Sequence, residues 1–234
     1  MAALGIVTGL KSEARLALAA ALKAGLATGV VEIECAGPGL YRAAAAAQRL
    51  IGKGARSLLS FGVAGALKAG LEPGTIVLPR TVFQEGAAPI DVDDLRADLI
   101  CLALAATGPI ERGALISTRD VVTSPTQKRT LAEAGGAVAV DMESYAVGAV
   151  AQAAGVSFAA LRVVADPATR AIPPSAMAGM SREGDVRPVK VLQMLARRPM
   201  DLPELIRLGR DNAKAMASLG RAARLALPLL LIGR

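Results

Sequence analysis

Short apolar runs alternate with longer stretches of helical spacing along most of the chain. Leu4–Thr8, Val30–Cys35, Leu58–Phe61, Thr75–Val82, Ala114–Ser117, Ala137–Val140 and Phe158–Ala165 read as buried strands. Between them the spacing predicts helices from Ser12, as N-cap, to near Gly25, over Leu40–Ile51, Leu95–Ala106 and Met142–Ala154. Pro167–Asp185 reads as a proline-rich loop, followed by helices near Val186–Arg197 and Pro203–Leu225. Continuous apolar strands between helices imply an α/β fold with a mostly parallel sheet covered on both faces. No repeat or long linker splits the 234 residues, so one domain is expected over 1–234. In such sheets ligands sit at the carboxyl ends of the strands.

Composition narrows the chemistry. The chain has no histidine, so acid–base work near neutral pH falls to carboxylates or other groups with shifted pKa values. Aromatic residues are 2% of the chain, too few for a base-stacking surface, and nucleic acid is not expected as a partner. Two cysteines, Cys35 and Cys101, are too few for a disulfide framework or a thiolate metal site, and no metal is expected. The net charge of +7 is concentrated in residues 182–234, which hold 11 Lys/Arg against 5 Asp/Glu. A basic C-terminal helical segment, about 186–234, is attracted to anionic surfaces or presents a solvated face. Lys11, Glu13 and Arg15 interrupt the first apolar stretch, unlike a signal peptide. Leu225–Ile232 contains Pro228 and is too short to span a bilayer. A cytoplasmic protein is expected, peripheral at the inner membrane if the basic tail touches lipid.

Several residues just beyond strand ends carry candidate chemistry. Glu13 follows the first strand, in a position that also suits a first-turn acid. Gly37-Pro38-Gly39 and Gly62-Val63-Ala64-Gly65 are glycine-rich turns able to bring backbone N–H groups to a ligand. Neither continues as a dinucleotide fingerprint, and no phosphate-loop motif is present. Asp141-Met142-Glu143 opens a helix; Asp141 suits an N-cap and Glu143 either a first-turn acid or a partner for a sugar diol. Asp166 precedes Pro167, which favours extended backbone and delivers the carboxylate to the ligand edge of the sheet.

Taken in order, Gly9–Glu13, Phe61-Gly-Val-Ala-Gly65, Pro73-Gly-Thr-Ile-Val77, Val140-Asp-Met-Glu143 and Arg162-Val-Val-Ala-Asp166 resemble the nucleoside phosphorylase / methylthioadenosine–S-adenosylhomocysteine nucleosidase family. Leu59–Gly65, Ala165–Ala168 and the basic tail look most like its hopanoid-associated phosphorylase subgroup. The resemblance implies a three-layer α/β/α sandwich with a central mixed sheet, and cleavage of a purine N-glycosidic bond. It implies that Asp166 protonates the departing purine at N7, that Glu13 activates water, and that Glu143 binds the ribose hydroxyls while Met142 packs on the sugar. Val122 falls where the family's backbone grips the adenine edge, and Val63, Ala64 and Gly65 fall in the substrate-binding motif.

The implied substrate is an adenine nucleoside with a 5′ substituent: lipid-linked, as in adenosylhopane, or of the methylthioadenosine type. Phosphorolysis remains the alternative, with phosphate as co-substrate held by Arg42 and Gly39; otherwise no cofactor is implied. A homo-oligomer is implied as well. Three departures bear on specificity: Asp141 stands where many relatives carry Glu, Ala165 where nucleosidases often carry Ser, and Val121 where they carry a stacking aromatic. A non-catalytic nucleotide- or membrane-binding module is the competing class.

Overall fold

The computed structural model describes residues 3–27, 29–179, 181, 183–185 and 187–231. Its elements run β1 (Leu4–Thr8), α1 (Lys11–Lys23), β2 (Val31–Cys35), α2 (Leu40–Gly52), β3 (Ser57–Ala66), β4 (Ile76–Val77), β5 (Thr81–Phe83) and β6 (Ile90–Asp91). They continue α3 (Asp94–Leu104), β7 (Ile110–Glu111), β8 (Ala114–Ser117), α4 (Pro125–Gly135), β9 (Ala137–Asp141), α5 (Ser144–Ala153) and β10 (Ser157–Asp166). The chain closes with α6 (Pro174–Ala178), α7 (Pro188–Arg197), a 3₁₀ turn (Pro199–Asp201) and α8 (Leu202–Leu229).

The strands form one mixed sheet with helices on both faces. β1 is buried throughout and β10 almost throughout, as expected of strands covered on both sides. One core lies under α2 and α5, where Ala43, Ala46, Leu50, Val147 and Ala151 pack on the sheet. The opposite core lies under α1, α3 and α8, where Ala17, Ala20, Ile100, Ala215, Leu219 and Ala222 meet Leu59 and Phe61. The alanine-rich composition thus serves close approach of helices to sheet.

β3 joins the two wings of the sheet. It pairs in parallel with β10 along most of its length and with β1 over Leu58–Ser60, while Gly65 and Ala66 pair antiparallel with β9. β9 continues in parallel to β8, and β8 to β5. This arrangement places the carboxyl ends of β1, β3 and β10 beside that of β9, and the candidate residues lie there.

Some elements differ from the expectation. The segment Thr75–Val82 is two short strands, not one, separated at Leu78-Pro79-Arg80. Pro79 has no N–H for a ladder, and the chain crosses there from the β10 wing to the β8 wing. Gly62-Val63-Ala64-Gly65 is extended strand, not a turn, so β3 reaches Ala66. α1 starts at Lys11 and not after Ser12, because Glu13 reaches back to accept from the Leu10 N–H. α5 starts at Ser144 and not at Met142, because Asp141 still belongs to β9 and its carboxylate accepts from the Ser144 N–H at 3.1 Å. α4 and α6 were not expected. Val186 and Ile232 lie outside the described residues.

Candidate active site

Glu13, Glu143 and Asp166 line one cavity of about 150 Å³. Val63, Ala64 and Gly65 of β3 form part of its wall, with Met142 and Val122. Arg42 and Gly39 lie instead on an adjoining cavity of about 420 Å³, which shares Pro38 and Met142 with the first. A third cavity of about 700 Å³ adjoins it through Thr118, Val121 and Val122.

The local structure explains each carboxylate. Glu13, in the first turn of α1, is 2% exposed. Its Oε2 accepts from the N–H groups of Gly9 (3.0 Å) and Leu10 (2.8 Å), and its Oε1 from that of Val63 (2.9 Å). Burial pushes its carboxyl up, against the pull of Arg162 and these N–H groups. Gly62 is required here: a Cβ at that position would stand 2.6 Å from Glu13 Oε1 and 2.7 Å from Arg162 Nη1.

Glu143, the residue before α5, accepts from the Gly39 N–H at 3.3 Å and faces Arg162 Nη1 at 3.4 Å. Burial first, and then the neighbouring Asp141 and Glu13 charges, push it up to about 7, with Arg162 opposing. The Gly37-Pro38-Gly39 turn, with φ of 77° at Gly37 and 120° at Gly39, does need glycine, and it aims the Gly39 N–H at Glu143.

Arg162 ties the cluster together, a role that its place as the first letter of a strand motif did not signal. Its side chain is 1% exposed, with Nη2 at 2.8 Å from Asp141 Oδ2. Nε donates to Ser144 Oγ at 3.2 Å and Nη2 to Ser60 Oγ at 2.6 Å. Asp141 also accepts from Ser117 Oγ and Ser144 Oγ, so it orients the guanidinium and the start of α5. A charged residue inside an otherwise apolar strand was the available signal.

Asp166 ends β10 opposite Gly65, where a Cβ would lie 3.2 Å from Oδ2. That oxygen is in contact with the ammonium of Lys128 on α4. Burial pushes the Asp166 carboxyl up, while Lys128 and Arg170 pull against it. Lys128 was missed with its helix. Ser124-Pro125-Thr126-Gln127 was the signal: Gln127 N–H donates to Ser124 Oγ, and Ser124 N–H to Gln127 Oε1, with proline at the first turn.

Three buried carboxylates that line one cavity, Glu13 and Glu143 held by backbone N–H groups and Asp166 against an ammonium, are chemistry suited to cleavage of a glycosidic bond. The phosphorylase superfamily model matches residues 19–184. The chain belongs to the phosphorylase superfamily. No curated protein matches it by sequence.

Solved structures of superfamily type share its fold. A methylthioadenosine/S-adenosylhomocysteine nucleosidase of Helicobacter pylori is 17% identical, covering 98% of this chain and 96% of its own, with a TM-score of 0.65. The Neisseria meningitidis enzyme of that name is 16% identical over 96% and 98%, with a TM-score of 0.66. Futalosine hydrolase of Helicobacter pylori is 20% identical over 71% and 88%, with a TM-score of 0.61.

Proposed function

We propose that this superfamily member hydrolyses the N-glycosidic bond of an adenine nucleoside carrying a 5′ substituent, releasing adenine. Asp166 gives its proton to the leaving base at N7 as the C1′–N9 bond breaks. Glu13 takes a proton from water, whose oxygen bonds to C1′. Glu143 accepts hydrogen bonds from the ribose hydroxyls, and its charge with that of Glu13 stabilises the ribosyl cation.

The observation that carries the choice of water is the set of partners around Glu13. The N–H groups of Gly9, Leu10 and Val63 would be the natural donors for a bound anion, and all three already serve the Glu13 carboxylate. Gly39 N–H is engaged by Glu143, and Arg42, exposed, donates to Pro38 O. Phosphate therefore meets a buried negative group where phosphorolysis needs cations. Incubation with methylthioadenosine, with and without phosphate, should yield adenine and free methylthioribose in both. A phosphate-dependent sugar 1-phosphate would overturn the hydrolytic reading in favour of phosphorolysis.

The adjoining cavities support a substituent larger than a hydroxyl at C5′, because Met142 and Pro38 open from the sugar end toward Arg42 and Arg119. A lipid-linked nucleoside is favoured by the surface of α7, the 3₁₀ turn after it and the start of α8. Val189, Leu192, Met200, Leu202 and Ile206 are exposed there, Met200 at 88%, among Lys190, Arg197, Arg198, Arg207 and Arg210. Beyond Asp211, one face of α8 packs on the sheet, where Ala215, Leu219 and Ala222 are fully buried. The chain leading into α7 is tied to the cavity rim, since Lys11 N–H donates to Gly184 O at 3.1 Å. Among the described residues no helix is long and apolar enough to cross a membrane, so contact would be interfacial.

Each basic residue near an anionic bilayer contributes about 1 kcal/mol. The protein should co-sediment with phosphatidylglycerol vesicles at low salt, release as salt rises, and ignore phosphatidylcholine vesicles. Failure to bind at low salt would remove the membrane from this reading while leaving the glycosidic chemistry intact.

A further inference from the structure

Lys128 is a buried cation that the chemistry above does not use. Of the described residues in α4 it alone is buried, at 1% exposure. Burying an ammonium is costly unless its donors are all satisfied. Here Nζ meets Asp166 Oδ2, donates to Pro167 O at 2.8 Å and donates to Arg170 O at 3.1 Å. An ammonium has three protons, and each has a partner. The ammonium therefore fastens the end of β10 to the loop that follows it. Asp166 Oδ1 accepts no hydrogen bond within the described residues, while the residue lines the cavity.

We propose that Lys128 is a positioning residue for the leaving-group acid: it holds Oδ2 of Asp166, leaves Oδ1 to face the purine, and stabilises the carboxylate formed when the proton departs. This rests on the nucleosidase reading of the cavity. No proton leaves Lys128. The Asp166 O–H bond breaks, the N7–H bond forms, and the negative charge left on Asp166 lies against the ammonium. The arrangement strengthens the acid as the reaction advances, when a buried carboxylate would otherwise be a reluctant donor. The other charges about Asp166 are few. Arg170, on the following loop, is engaged by Asp211 of α8; Glu13 and Glu143 line the same cavity, with Arg162 behind them against Glu143.

The test compares K128M with K128R and wild type. An opposite charge at this range lowers a carboxyl by roughly 1–3 pH units. K128M should therefore move the alkaline limb of kcat up by about 1–3 pH units and lower kcat roughly tenfold or more, with KM little changed. K128R should retain most of the limb's position. An unmoved limb in K128M, or a K128R profile as displaced as that of K128M, would overturn the proposal.

A second readout needs no activity: the ¹³C-carboxyl titration of Asp166, assigned by its loss in D166N. Its midpoint should rise by the same interval in K128M, and an unmoved midpoint rejects the proposal. If wild type releases no adenine, the nucleosidase reading fails by itself and the carboxyl titration still decides whether Lys128 governs Asp166. If K128M does not fold, K128A with added methylammonium takes its place. Restoration of the wild-type midpoint by the amine supports the proposal, and no effect of the amine opposes it.

Discussion

Asp166→Asn should lower kcat/KM for adenine release by roughly 10²–10⁴-fold, the range that one general acid contributes. The amide keeps the size of the carboxyl and an oxygen for the Lys128 ammonium, so the tie from Lys128 to Pro167 O and Arg170 O persists. What is lost is the transferable proton. Adenine leaves poorly as an anion, so the barrier rises by about 1.4 kcal/mol for each tenfold loss. The pH profile separates this from a folding defect. The proposed mechanism requires Asp166 protonated and Glu13 ionised, and burial raises both carboxyls above their ordinary range.

Activity therefore falls at high pH as Asp166 loses its proton, and at low pH as Glu13 gains one. The variant should lose the alkaline limb and keep the acid limb. Glu143, pushed up to about 7, should shape the neutral region in both proteins through KM if it binds the sugar as proposed. A variant with the wild-type rate and both limbs would remove Asp166 from the chemistry.

The strand ends and their carboxylates were legible because apolar runs are easy to read and acids just beyond them stand out. β1 and β8 match their expected bounds, and Glu13, Glu143 and Asp166 meet at one cavity. What escaped was whatever departs from apolar periodicity. α4 buries a lysine and leaves most of its length exposed, so no hydrophobic stripe marks it. Gly62-Val63-Ala64-Gly65 looked like a turn because glycine usually is one. Here Gly62 clears space for the Glu13 carboxylate within a strand, a requirement set by a partner 49 positions away in sequence. Pro79 broke an apolar run that hydropathy alone joins. A tertiary partner absent from any local window decided the Gly62 case, whereas α4 and the break at Pro79 left local marks that hydropathy does not weigh: a capping box at Ser124–Gln127 and a residue without an N–H.

Arg162 makes the sharpest case, because the buried carboxylates around the cavity share it. Its guanidinium is the counter-charge for Asp141, Glu143 and Glu13, all buried. Arg162→Met keeps the stem volume and removes the charge. Deleting one partner of a buried ionic cluster typically destabilises by about 3–5 kcal/mol, because the remaining charges stay desolvated. The midpoint of denaturant unfolding at pH 7 should fall accordingly, with an unchanged slope.

The sign with pH follows from the carboxyls. Glu13 and Glu143 already sit above their ordinary value of 4.5 in the folded protein, and loss of the cation raises them further. A carboxyl raised on folding costs nothing while both states are protonated, and its penalty grows as pH rises past the unfolded value through the folded one. The variant's deficit should be smallest near pH 4.5 and widen through pH 7, where the unfolded chain ionises freely and the folded cluster cannot. A deficit below about 1 kcal/mol at pH 7, the scale of an exposed ion pair, would mean that the three carboxylates need no common counter-charge.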